Sequence, residues 1–173
     1  MQMVWNAQGV TNLNDFLTCF TPGLKQRLYL DWKGDVSVMD KLDSYRNFKV
    51  TLEPERYLFV VSIPHHRSQL SRFRCSSHCL RIETDRKNNI DRNERICPLC
   101  SLGEVEDEYH FLLKCPFFDN FRVKFIPLYY FTPPSFQKFI DLLLSKNDHV
   151  LKSVAAYLHH SFKLRYEIYK YSE

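Results

Sequence analysis

Four residues in the middle of the chain have the spacing of a metal site. They follow the pattern C-x2-C-x9-H-x4-C and are Cys97, Cys100, His110 and Cys115. Two cysteines separated by two residues can direct both sulfur atoms to one metal ion, and a short loop then lets the chain return with the other two ligands. Three thiolates and one imidazole are typical of structural Zn²⁺, with no open position for catalysis. We therefore predict a Zn²⁺ site that stabilises this segment by on the order of 10 kcal/mol.

The local structure around these ligands is predicted from the same segment. Acidic residues from Glu104 onward are typical of a helix start, and Pro116 closes that helix. The step from His110 to Cys115 exceeds one α-helical turn, so Cys115 is expected at the end of the helix. Two alternatives stay open: the cysteines are buried thiols that meet no metal, or Cys97 and Cys100 are a redox pair, which leaves His110 and Cys115 unexplained.

Composition limits the class of protein. The chain has 173 residues, of which 45% are hydrophobic, including 14 Phe and 10 Tyr, so it can form a core and is not disordered throughout. No segment has the roughly 18 apolar residues of a membrane span, and the N-terminus lacks the pattern of a signal peptide. We expect an intracellular protein, nuclear or cytoplasmic, without a membrane partner. In a reducing compartment, its six cysteines are more often thiols or metal ligands than disulfides.

Helical periodicity dominates the rest of the chain. Apolar residues recur every four positions from Phe16 to Trp32, and Thr21-Pro22-Gly23 predicts a break between a short helix and a longer one that ends near Gly34. Aromatic stripes of this kind are expected in the core. Further helices are predicted at the following places: one through Leu42, Tyr45 and Phe48, one after Pro64 with Leu70 and Phe73, one over 117–126, one over 135–144 capped by Ser135, and one from Asp148 to about Tyr169 capped by Asn147 or Asp148.

The predicted fold class is mainly α, a helical domain with a small Cys3His loop-helix unit stapled by zinc and at most one short strand pair. Residues 80–83 are either a strand or an extended linker, and Leu128 to Phe131 form an aromatic linker between prolines. We divide the chain into an N-terminal helical region (1–80), the zinc-binding unit (81–126) and a C-terminal helical pair that packs back on the core (127–173).

The remaining cysteines and histidines carry weaker patterns. A second small cluster contains Cys75, His78 and Cys79; it is either a second metal site without a fourth ligand or, as we favour, a pair of buried structural cysteines with a nearby histidine. Cys19 is expected in the core. The adjacent pairs His65-His66 and His159-His160 are expected to diverge and to have surface or packing roles.

Charge is concentrated in one stretch of the chain. Residues 61–95 contain eight basic and four acidic residues, which is the whole formal net charge of +4. Such asymmetry favours an anionic partner such as nucleic acid, whereas a solvated arginine-rich face is the other interpretation. The candidate nucleic-acid contacts are Arg72, Arg74, Arg81, Arg86, Lys87, Arg92 and Arg95, with Phe73 or Tyr109 as stacking groups.

Three segments together suggest a family. The run from Leu70 to His78, the run Asn93-Glu-Arg-Ile-Cys-Pro-Leu-Cys100 and the run from Val105 to Pro116 resemble the C-terminal region of the reverse transcriptases of non-LTR (LINE-type) retrotransposons. The resemblance extends from about Trp5 to Tyr166. It implies that the four ligands named above bind zinc in a tail that follows the polymerase and binds element RNA or target DNA.

The sequence also argues against catalysis. It has no paired-aspartate polymerase motif, no restriction-like endonuclease core, no glycine-rich phosphate loop and no HExxH helix. We expect a zinc-binding, nucleic-acid-binding module that is not an enzyme. RNA or single-stranded DNA is its expected partner, together with the polymerase region of the same element. The alternative is a zinc-stabilised structural or protein-interaction domain without nucleic-acid binding.

Overall fold

The N-terminal part of the described chain is one long helix. A computed structural model describes the backbone of residues 13–170 and the side chains of residues 21–170. The chain divides into two compact units, residues 1–39 and 40–173. In the first unit, α1 spans Leu13–Val38 and contains Pro22. The predicted break at this proline and the predicted end near Gly34 are wrong. A proline removes one backbone hydrogen bond but has a helical φ, so the flanking segments stay joined.

Exposure along the apolar stripe of α1 differs from residue to residue where side chains are described, and Val36 near its end is buried. Leu24 and Leu28 are 52% and 61% exposed, and Trp32 is half-buried. The prediction that this stripe lies in the core is therefore wrong for the two leucines, while Phe16 and Cys19 lie outside the described side chains. Periodicity identifies the apolar face of a helix, but it does not reveal what covers that face.

The described part of the second unit consists of helices joined by short non-helical segments. Its α-helices are α2 (Tyr45–Phe48), α3 (Tyr57–Val60), α4 (Pro64–Arg74), α5 (Arg81–Lys87), α6 (Asp119–Phe125), α7 (Leu128–Phe131), α8 (Phe136–Leu143) and α9 (Asp148–Lys170). Shorter turns are the 3₁₀ turns Asp40–Leu42, Arg92–Glu94 and Pro116–Phe118 and the π turn His110–Lys114. The predicted mainly α class is confirmed. The possible strand pair does not form among the described residues, where extended pairing is limited to two isolated antiparallel bridges, Ile96 with Val105 and Phe131 with Pro134.

Capping residues start the helices where the sequence predicts. Pro64 is the first residue of α4. The Ser135 hydroxyl accepts a hydrogen bond of 3.2 Å from the backbone N–H of Lys138 at the start of α8. The Asn147 side chain accepts one of 2.9 Å from the N–H of His149 at the start of α9. These local signals depend on neighbouring residues only, which is why the sequence reveals them.

Two segments differ from their predicted form. Residues 80–83 are neither strand nor linker, because α5 begins at Arg81, whose N–H donates to the Glu106 carboxylate at 2.8 Å. A distant acid thus supplies the acceptor that a local cap would provide. The predicted aromatic linker is the short helix α7, where the N–H of Tyr130 donates to the carbonyl of Pro127 at 3.0 Å.

The core forms where α9 packs against α3, α4 and α6. Its centre is a cluster of phenylalanines in which the Phe111 ring lies 4.6 Å from that of Phe162 and 4.7 Å from that of Phe118. Helices α4 and α9 pack along each other. The division into segments 1–80, 81–126 and 127–173 stays a prediction. No helix within residues 13–170 combines the length and apolarity needed to span a bilayer.

Candidate metal centre

The four residues of the Cys3His pattern converge on one point. One ligand atom from each of Cys97, Cys100, His110 and Cys115 lies within 4.8 Å of all the others. The sulfurs of Cys97 and Cys115 are 3.9 Å apart, and the Cys100 sulfur lies 3.5 Å from His110 Nε2. In a tetrahedral site with metal–sulfur bonds of about 2.3 Å, two sulfurs are about 3.8 Å apart and a sulfur and a nitrogen about 3.5 Å apart. The cluster therefore has the size needed to hold one metal ion.

A short hairpin presents the first two ligands. The N–H of Cys97 donates to the carbonyl of Glu104 at 2.8 Å, and Ile96 bridges to Val105 in antiparallel fashion. Gly103 turns the chain with a φ of +65°, a conformation that residues with a Cβ rarely adopt. The loop thus returns beside Cys97 and Cys100, as the sequence predicts for a loop that contains this glycine.

The last two ligands are brought together by a π turn. His110–Lys114 forms a π-helix, and the N–H of Cys115 donates to the carbonyl of His110 at 2.8 Å. Such a turn closes after five residues rather than four, so residues i and i+5 share one face. The predicted α-helix from Glu104 is therefore wrong in type. The four residues between His110 and Cys115 correspond to one π-helical turn, and Cys115 follows its last residue.

Distant side chains satisfy the carbonyls of this turn. In a π turn the Phe111 carbonyl would accept from the N–H of the residue five positions later, but that residue is Pro116, which has no N–H. The Tyr157 hydroxyl donates to the Phe111 carbonyl instead, at 2.8 Å. The Arg122 guanidinium donates to the Cys115 carbonyl at 2.7 Å. Tyr157 and Arg122 are both fully buried. Sequence reasoning missed both residues, because neither lies near the ligands along the chain.

A carboxylate orients the histidine ligand. His110 Nδ1 lies 3.1 Å from Glu104 Oε2, and Nε2 faces the sulfur of Cys100. Glu104 thereby selects the tautomer in which Nδ1 carries the proton and Nε2 is free to bind a metal. Lys114 also hydrogen-bonds to Glu104 and, together with His110, lowers the pKa of that carboxyl group despite its partial burial. The sequence analysis used Glu104 only as a helix-start acid.

The cluster is closed to solvent. Cys97, His110 and Cys115 are buried and Cys100 is half-buried. A hydrogen bond from Cys115 outweighs the effect of burial and lowers the pKa of Cys97 to about 4. Burial raises the pKa of Cys100, and the hydrogen bond to Cys97 raises that of Cys115. Metal binding must therefore displace protons from these two thiols, and acid must release the metal.

The acids beside the ligands are structural. Glu106 is fully buried and accepts two hydrogen bonds from Arg165 of α9, at 2.7 and 3.0 Å. Glu108 is also buried and lies 2.9 Å from His78 Nε2. Buried carboxylates of this kind require charged or hydrogen-bonding partners from elsewhere in the chain.

The second cysteine cluster does not form. Cys75 and Cys79 are exposed rather than buried, so the favoured interpretation is wrong for them. The His78 side chain is buried but is held by Glu108. Neither of the two groups of potential metal ligands found among the described residues contains any of these three residues.

Most of the predicted nucleic-acid contacts are used within the protein. Arg74 is only 2% exposed; it lies 3.0 Å from Glu55 and 2.8 Å from the Leu143 carbonyl. The Arg74 guanidinium is therefore not accessible to a nucleic acid, and the prediction that Arg74 contacts one is wrong. Four further arginines pair with acids or carbonyls of the protein, although the Arg92 side chain stays 53% exposed. The pairs are Arg81 with Asp85, Arg86 with Glu83, Arg92 with Asp43 and Asp107, and Arg95 with the carbonyls of Ile82 and Ile90. The predicted stacking group Phe73 is buried.

The two remaining residues line one groove. Arg72 of α4 and Lys87 of α5 are exposed and face a groove of about 530 Å³ whose third wall is α9. Lys163 and Tyr166 of α9 also line it, and no acidic residue lines it among the residues described. The other lining residues are Gln69, His78, Cys79, Thr84, His159 and Phe162. Tyr166 is 67% exposed. Sequence reasoning missed Lys163 and Tyr166, which are about 80 residues away from the basic stretch.

Comparison of this chain with protein-family models, with curated proteins and with solved structures finds no match.

Proposed function

We propose that the Cys3His cluster is a structural Zn²⁺ site that stabilises a nucleic-acid-binding module. The observation that carries the metal assignment is the closed cluster of three sulfurs and one imidazole nitrogen at tetrahedral spacing. Soft thiolate ligands in a tetrahedral arrangement favour Zn²⁺ over Mg²⁺ or Ca²⁺, which require oxygen ligands. Four protein ligands leave no position for a reactive water, so the metal has no catalytic role.

Metal analysis of the purified full chain tests this assignment. The wild type is expected to contain one equivalent of tightly bound zinc, and the double variant Cys97→Ser/Cys100→Ser is expected to lose it. Cys75→Ser is the matched control, because this cysteine is exposed and outside the cluster. A wild type that is folded and free of metal would refute the assignment, as would equal zinc in the wild type and the double variant.

The groove between α4, α5 and α9 supports nucleic-acid binding. Arg72, Lys87 and Lys163 place three positive charges around it, and the exposed ring of Tyr166 provides a stacking surface at its edge. Proteins that bind single strands combine a positively charged groove with aromatic rings on which bases stack. We propose that RNA or single-stranded DNA lies in this groove, with phosphates at the cations and a base on Tyr166.

Fluorescence anisotropy with a labelled single-stranded RNA or DNA tests the groove. Each phosphate contact contributes a slope of about −0.7 to log K against log salt, so three contacts predict about −2. Arg72→Ala or Lys87→Ala is expected to weaken binding and to reduce the slope by about 0.7. Lys146→Ala, an exposed lysine outside the groove, is the matched control. Absence of binding at low salt, or equal effects of all three variants, would refute the proposal.

The resemblance to non-LTR retrotransposon reverse transcriptases extends this proposal. On that basis, the chain corresponds to the non-catalytic C-terminal region that follows the polymerase, and the polymerase region of the same element is its protein partner. The Cys3His geometry agrees with the zinc-binding tail implied by the resemblance. Co-purification of the full chain with the polymerase region, with and without Zn²⁺, tests this partner; no association under either condition would contradict it.

A structural or protein-interaction domain is the second candidate function. It is favoured by the internal pairing of Arg74, Arg81, Arg86 and Arg95 and by the exposed leucines of α1. In this case chelation unfolds the protein, but anisotropy stays flat at every salt concentration. Chelation is expected to unfold the protein under either function, so the anisotropy measurement separates the two.

A further inference from the structure

Two pairs of adjacent histidines meet where α4 packs along α9. The ring centroids of His65 and His66 are 4.7 Å apart, and the ring of His159 lies 4.5 Å from the first and 4.9 Å from the second. The expectation that these pairs diverge is wrong for this trio. His65 and His66 occupy the first turn of α4 and His159 the middle of α9, so the helix packing brings the rings together.

The three rings offer nitrogen ligands at nearly the right spacing. One nitrogen from each histidine lies within 4.8 Å of the other two. A metal ion with bonds of about 2.0 Å to three imidazoles holds them about 3.4 Å apart, so the rings must approach by roughly 1 Å. His65 is exposed and the other two are half-buried, so side-chain rotation can supply this movement. Burial and the neighbouring imidazoles lower the pKa of His66 and His159, which keeps their lone pairs available at neutral pH.

We propose that His65, His66 and His159 form a second metal site, for a borderline divalent ion such as Zn²⁺ or Ni²⁺. Three neutral imidazoles are the ligands that these ions accept readily, whereas Mg²⁺ and Ca²⁺ prefer oxygen. A tetrahedral ion held by these three imidazoles would have a fourth position for water or for a ligand from outside. A metal here joins α4 directly to α9, at a place separate from the Cys3His centre.

His160 does not belong to this site. Its ring stacks on Phe125 at 5.3 Å with an angle of 8° between the planes, and this contact holds it away from the metal position. Lys163 lies one turn beyond His159 on α9, and the first turn of α4 carries the positive end of a helix dipole. Both features oppose a cation. The site is therefore expected to bind more weakly than the Cys3His cluster and to fill second.

Equilibrium dialysis of the full chain against Zn²⁺ tests the site. We expect two equivalents in the wild type and one in His66→Ala and in His159→Ala. His149→Ala, an exposed histidine of α9 outside the trio, is the matched control and is expected to bind two. The variant His65→Ala removes an exposed ligand with the least risk to folding, and it is also expected to bind one.

Co²⁺ separates the two centres. The first equivalent is expected to show the thiolate-to-metal charge-transfer absorption of a cysteine site, and the second only the weak bands of nitrogen ligation. Loss of the charge-transfer band alone would count against the Cys3His centre and not against the histidine site. A wild type that binds no second equivalent, or a second equivalent retained in His65→Ala, His66→Ala and His159→Ala, would overturn the proposal. Changes in the histidine ring ¹⁵N shifts of this trio as the second equivalent binds would support it directly.

Discussion

Glu104 is the residue beside the metal centre whose removal is most informative. It does not bind the metal, but it accepts the hydrogen bond from His110 Nδ1 at 3.1 Å and thereby fixes the tautomer that offers Nε2. Loss of such a partner typically weakens metal binding 10- to 100-fold, or by about 1.4 to 2.7 kcal/mol. The Glu104 side chain is 38% exposed, so water can replace part of the interaction. We therefore expect Glu104→Ala to weaken Zn²⁺ binding by about tenfold.

Competition with a chromophoric chelator at fixed pH measures this change. Glu104→Gln is expected to have a smaller effect than Glu104→Ala, because the amide oxygen still accepts from Nδ1 while the negative charge is lost. Glu94→Gln, in the nearby 3₁₀ turn, removes a charge that is not in contact with the ligands and is the matched control. If Glu104→Ala binds Zn²⁺ as tightly as Glu94→Gln, then the carboxylate does not orient the histidine and our reasoning about the tautomer is wrong.

Three further predictions concern stability. Tyr157→Phe leaves a carbonyl of the π turn without its buried donor and is expected to lower the free energy of unfolding by about 1 to 3 kcal/mol in urea denaturation of the zinc-loaded protein; an unchanged midpoint would contradict this role. Arg165→Met leaves the buried Glu106 carboxylate without its ion-pair partner and is expected to lower the free energy of unfolding by about 3 to 5 kcal/mol. Adding Glu106→Gln is expected to recover part of this loss. If the effects of the two substitutions simply add in the double variant, the pairing is refuted. Burial alone raises the pKa of Glu108, but hydrogen bonds, chiefly with His78, outweigh it and lower that pKa. The carboxylate therefore stabilises the fold above the ordinary carboxyl range and loses this contribution as pH falls through its lowered pKa, so thermal melts of Glu108→Gln should show a shallower loss of stability in acid than the wild type.

Helix starts and the ligand set could be predicted because they depend on short-range patterns. Pro64 and Ser135 act on residues of their own turn, and the spacing of the four ligands is compatible with only a few chain paths. The five-residue step between His110 and Cys115 carries the signal of a π turn. The sequence nevertheless predicts an α-helix that ends at Cys115, because π turns are rare and depend on tertiary partners.

Long-range pairing explains what the sequence could not reveal. A run of arginines predicts a basic surface, but Arg74 is buried between Glu55 and the end of α8. Its guanidinium also lies over the rings of Phe48 in α2 and Tyr57 in α3. Charge counted along the chain does not distinguish a solvated cation from one that is neutralised in the core. For the same reason the charge pattern does not reveal Lys163, which lines the groove only because α9 packs against α4.

The wide turn at the candidate metal centre also bears on whether the segment that contains the Cys3His residues can fold on its own. A peptide of residues 95–118 contains every ligand, yet it lacks Arg122, Tyr157 and Arg165, which occupy the carbonyls of the turn and the adjoining acid in the intact chain. In the isolated peptide, these carbonyls and the Glu106 carboxylate face water. The π turn then loses the side-chain hydrogen bonds that favour it over an ordinary α-helical turn. We therefore expect that this peptide alone does not hold the four residues in the arrangement of the full chain, because the side chains that support that arrangement extend to residue 165.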